Sequence, residues 1–102
     1  MSNKIDVETQ AIRNVAADID TYITSLLQKR ERLLGYESEL SAAWRGEDAT
    51  KFQKRYNAVV KDTGFTMDLI KVLRSYRDYL NYCAQSYEDA ANSAVNRINS
   101  VK

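Results

Sequence analysis

The chain has 102 residues, with 15 basic and 14 acidic side chains, a net charge of +1, one cysteine and neither proline nor histidine. That length suits one domain spanning residues 1–102, and the balanced charge lacks the basic excess of nucleic-acid or anionic-membrane binders. With no His and only Cys83, internal disulfides, zinc sites and most hydrolytic triads are excluded by inventory, so we expect no catalytic residue, no metal and no cofactor.

From the N-terminus, Met1-Ser2-Asn3-Lys4-Ile5-Asp6 is polar and offers no apolar signal-peptide core. No apolar run approaches the roughly 20 residues that span a bilayer. We therefore expect no stable membrane insertion and, if the chain is exported, departure without a cleaved signal peptide. Ile5, Ile12, Ile19, Leu26, Leu33 and Leu40 then recur every seventh residue, with Val15, Tyr22, Ile23 and Tyr36 beside them. The row predicts one helix from about Val7 to about Trp44. Lys29, Arg30 and Glu37 interrupt its second row, Leu27 and Leu34 widen its apolar face, and the run Lys29-Arg30-Glu31-Arg32 reads as a solvated face.

Trp44-Arg45-Gly46 is the firm break, because Gly leaves a helix in a left-handed conformation without steric cost. Arg45 is expected in the last turn of the first helix, and Glu47 and Asp48 in the first turn of the next, each complementing the local helix dipole. Trp44 is placed to plug the bend. The second helix is predicted from about Asp48 to about Asn99 on an apolar row that includes Phe52, Tyr56, Val59, Ile70, Leu73, Leu80 and Ala84. Arg77 is its charged intruder, and Gly64 reads as a tolerated weak point within it.

Beside that row runs a second stripe, Leu69, Val72, Tyr76, Tyr79, Cys83 and Ala90. Two helices alone leave such a stripe in water, so it needs another surface. The expected fold is all-α: an antiparallel helical hairpin that pairs with a second hairpin into a four-helix bundle. The expected interface is Leu69, Val72, Tyr76, Tyr79 and Cys83, opposite Leu27 or Leu34 of the partner.

A chain of this length, with Trp44 and Gly46 in a central turn between two long Pro-free helices, resembles the WXG100 family of small type VII secretion proteins. The resemblance implies homodimers or heterodimers with another helical-hairpin protein, and export by a membrane ATPase. It also implies a role either as a secreted substrate or as targeting partner of a larger toxin, whose N-terminal domain is one such partner. The family's export signal places an acidic residue four positions after an aromatic one. Here Tyr87 is followed at that distance by Ala91, with Ala94 and Ile98 continuing the apolar part, and no Tyr has Asp or Glu four residues on. The signal region is thus degenerate, which favours recognition by the export ATPase through a bound partner. The heptads alone equally support an intracellular coiled-coil adaptor with no export role. A membrane-active effector fits least, since no face is both cationic and apolar.

Overall fold

The protein, described here by a computed structural model, is defined over residues 3–101, with side chains described for residues 6–100. The side chains of Ile5, the first of the heptad row, and Val101 thus lie outside the described residues. Three helices follow one another: α1 (Asn3–Ala43), α2 (Glu47–Val60) and α3 (Phe65–Val101). The fold class is the all-α helical hairpin, with no strand among the described residues.

The predicted second helix is two. Lys61 turns to φ −66° and ψ 165°, and the chain re-enters a helix only at Phe65. Gly64 is therefore a boundary and not a tolerated interior residue. Its N–H donates to the Lys61 carbonyl at 2.8 Å, and its own carbonyl accepts from Asp68 N–H at 3.1 Å. A Cβ there would stand 2.9 Å from the Ala58 carbonyl oxygen and 3.0 Å from that of Lys61. Asp62-Thr63-Gly64 is turn chemistry, and it outweighs the apolar periodicity running through it.

Two compact units divide the chain. The second unit, Thr21–Leu73, holds the turn, all of α2 and the break. Its buried apolar residues are Ile23, Val60 and Ile70. Within it, Gln53 donates to Glu37 at 2.8 Å. Arg30 Nε donates to the Val60 carbonyl, and its Nη2 meets Asp62 at 2.7 Å. The pairing of α1 with the returning chain is antiparallel there.

The first unit takes the chain up to Asp20 together with the chain from Arg74. Arg13 grips Glu88 through two bonds of 3.1 and 3.0 Å and reaches Gln85 at 3.2 Å. Arg77 pairs with Asp20 and, at 3.0 Å, with Asp78. Ala16 and Ala84, in register with those pairs, are both buried. The pairing is antiparallel here too. The charged intruder of the apolar row is thus neutralised by an acid on α1 and by its own neighbour.

Candidate functional site

At the turn, α1 makes its last backbone bond from Trp44 N–H to the Leu40 carbonyl, 2.8 Å. Trp44, Arg45 and Gly46 are then outside any helix. Arg45 accordingly lies in the turn and not in the last turn of α1, which holds no basic residue. The reason is Gly46, whose φ of 116° and ψ of −175° cannot join a helix. Its carbonyl accepts from both the backbone N–H and the hydroxyl of Thr50, each at 3.1 Å. No side chain caps α2, so Glu47 and Asp48 in its first turn meet the exposed N–H groups by charge alone.

Trp44 is 38 % exposed, and so it is only part of a plug. Its ring lies 5.7 Å from that of Phe52, which lies 5.7 Å from Tyr56. A small cavity of about 30 Å³ sits beside this row, among Leu40, Trp44, Ala49 and Phe52. The Tyr56 hydroxyl is buried with no hydrogen-bond partner among the described residues. Burial first, and then the charge of Glu37, push that phenol's pKa up.

The predicted interface residues divide by exposure. In the second unit Val72 is exposed, whereas Leu27, Leu34 and Leu69 are half-buried. The exposed apolar residues of α1 in that unit are instead Tyr22, Leu33, Tyr36 and Leu40. In the first unit Tyr76, Tyr79, Tyr82 and Tyr87 are exposed and Cys83 is half-buried. The Tyr79 phenol is held above its ordinary pKa, chiefly by its hydrogen bond with Cys83 one helical turn on. Of the residues assigned to the degenerate export signal, Tyr87, Ala94 and Ile98 are exposed and Ala91 is half-buried. Tyr87, Ala91 and Ala94 line, with Ala90 and Glu8, an open groove of about 350 Å³. The sequence pattern marked those residues as apolar, but not as a concavity.

Over residues 4–92 the chain matches the WXG100 family, proteins of 100 residues with WXG. The chain belongs to the WXG100 family. Its Trp44-Arg45-Gly46 is the family's WXG, here the non-helical link between α1 and α2. No curated protein and no solved structure matches the chain. As a WXG100 protein it is a small type VII secretion-associated protein, and members of the family generally pair as dimers. No helix among the described residues is long and apolar enough to cross a membrane.

Sequence reasoning missed Arg30, taken as a solvated charge. Its side chain is only 13 % exposed, and it closes the C-terminal end of α2. The available signal was its place in the inward row of α1, where a cation survives only with acceptors to meet it.

Proposed function

We propose that this WXG100 protein is a non-enzymatic targeting partner in type VII secretion. It pairs through the exposed apolar face of α3 with another helical hairpin, forming a four-helix bundle. The pair accompanies a larger effector or toxin to the export ATPase, from the cytoplasm to the outside, without a cleaved signal peptide. The observation that carries this reading is the row of exposed tyrosines on α3 of a family that works in pairs. Alanine at position 91, four residues after Tyr87, supports a role in which the bound partner carries the recognised signal.

The test is secretion of the tagged chain from its own host, with and without the export ATPase. We expect the chain in the medium only when the ATPase is present, and a larger protein whose secretion falls when the chain is deleted. A chain confined to the cytoplasm, whose deletion leaves the secreted proteins unchanged, overturns the proposal.

A further inference from the structure

The crevice beside the WXG turn is lined for a cation. Glu37, Leu40, Ser41 and Trp44 follow the three- and four-residue spacing that shares one face at the end of α1. Ala49, Phe52 and Gln53 of α2 close the other side of its cavity of about 30 Å³. All of these residues belong to the second unit.

Its polar wall offers acceptors. Gln53 Nε2 donates to Glu37 Oε1 at 2.8 Å, and Ser41 Oγ donates to the Ser38 carbonyl at 3.3 Å. Those bonds engage the hydroxyl proton and one amide proton. Glu37 Oε2, the Ser41 oxygen and the Gln53 amide oxygen are left to accept. Among the described residues no basic side chain pairs with Glu37. Lys51, on the same helix as Gln53, is held by Glu47 at 3.1 Å. A cationic donor gains a charge-assisted bond in this crevice, whereas an anion faces a carboxylate.

The apolar groups suit a cation as well. The Trp44 and Phe52 rings, 5.7 Å apart and tilted by 51°, stand at the rim. Ring faces attract an ammonium or a guanidinium within about 6 Å of the centroid, and indole does so most strongly. Volume selects between the two. A single water needs about 10–15 Å³ of such space, so the cavity seats a compact ammonium with the methylene beside it and is too small for the planar guanidinium fork. Exposure selects the source. Leu40, Trp44 and Phe52 are 40, 38 and 41 % exposed. A free amine leaves that apolar rim in water, whereas a protein surface that carries the amine covers it.

We propose that this crevice is a socket for one lysine side chain of a protein that docks on the WXG turn, its ammonium bonded to Glu37 and seated against Trp44 and Phe52. The socket is separate from the face of α3 through which the hairpin pairs.

Trp44 is the one tryptophan of the chain, so its fluorescence reports on the socket. The probe is Nα-acetyl-lysine methylamide, titrated into the full chain at constant ionic strength. We expect a saturable change in emission with a half-point on the order of 10 mM. The Nε-acetylated probe, which lacks the charge, should give no saturable change, and the arginine analogue should saturate at higher concentration. Glu37→Gln removes the charge and should raise the half-point at least about tenfold, with circular dichroism unchanged. Ala49→Leu, which fills the space and keeps the carboxylate, should do the same. In the host, a carbodiimide, which joins a carboxylate to an amine as an amide, should link Glu37 to a lysine of another protein, mapped by mass spectrometry and lost in Glu37→Gln. A lysine probe with no saturable effect, or one whose half-point both variants leave unchanged, overturns the socket. A probe that saturates while Glu37 is linked to no other protein in the host overturns the docking partner and leaves a site for a free amine. The targeting reading rests on α3 and is judged separately, by secretion of the larger protein.

Discussion

A Cβ built on Gly46 meets no atom within 4 Å, yet the residue's φ of 116° is reserved in practice for glycine. Gly64 shows the reverse: its φ is not in the left-handed region, but a Cβ there would press on three backbone atoms. Ala at position 46 should thus cost about 1–3 kcal/mol of conformational strain. Ala at position 64 should cost about as much through forced separation of α2 from the turn. The two are told apart by a D-alanine at each site introduced by chemical synthesis. It relieves the strain at Gly46, whereas at Gly64, whose φ is not positive, a D residue meets conformational strain of its own. Thermal melts of the four peptides are the measurement, and equal stability of either L-alanine variant with the parent contradicts the corresponding account.

At the scale of the element, the break between α2 and α3 is held from outside by Arg30. Replacing it with Met keeps the aliphatic packing but leaves the Val60 carbonyl without its guanidinium donor. We expect a loss of about 1–3 kcal/mol and faster amide exchange concentrated at Lys61–Gly64. Exchange that rises uniformly along the chain instead would show that Arg30 does not act on the joint. The long helix α1, the WXG turn and the exposed tyrosine row were all legible in the sequence, because each rests on a local period or a single backbone requirement. The joint was not. Apolar spacing continues from Val59 through Ile70, and only Asp62-Thr63-Gly64 together contradict it. The heptad row was legible only in part. A straight helix drifts about 20° per heptad against a seven-residue repeat, so Ile12 and Ile19 face inward while Leu33 and Leu40 emerge as exposed. By the same drift Leu27 and Leu34, expected at the interface, lie half-buried in the hairpin.

For the stability of the whole molecule, the buried Tyr56 phenol imposes a direction on pH dependence. Its folded pKa lies above the ordinary value near 10. Between the unfolded and folded values the native state keeps a proton that the unfolded chain releases, so stability falls as pH rises through that window. We expect Tm to drop more steeply above about pH 10 in the parent than in Tyr56→Phe, which has no proton to hold there. Parallel curves for the two proteins would remove the phenol from the account.

The bonds that join α1 to the returning chain close loops of very different size. Glu37 and Gln53 are 16 residues apart, Arg30 and Asp62 are 32, Asp20 and Arg77 are 57, and Arg13 and Glu88 are 75. Each doubling of loop length adds about 0.6 kcal/mol of closure entropy. The chain therefore meets its smallest entropic cost beside Trp44 and its largest beside Glu88, and a nascent chain leaving the ribosome can complete the first contacts long before the last acceptor has been made. The helix face that carries the tyrosines is synthesised after α1, the turn and α2, so the short-range contacts can form before that face leaves the ribosome.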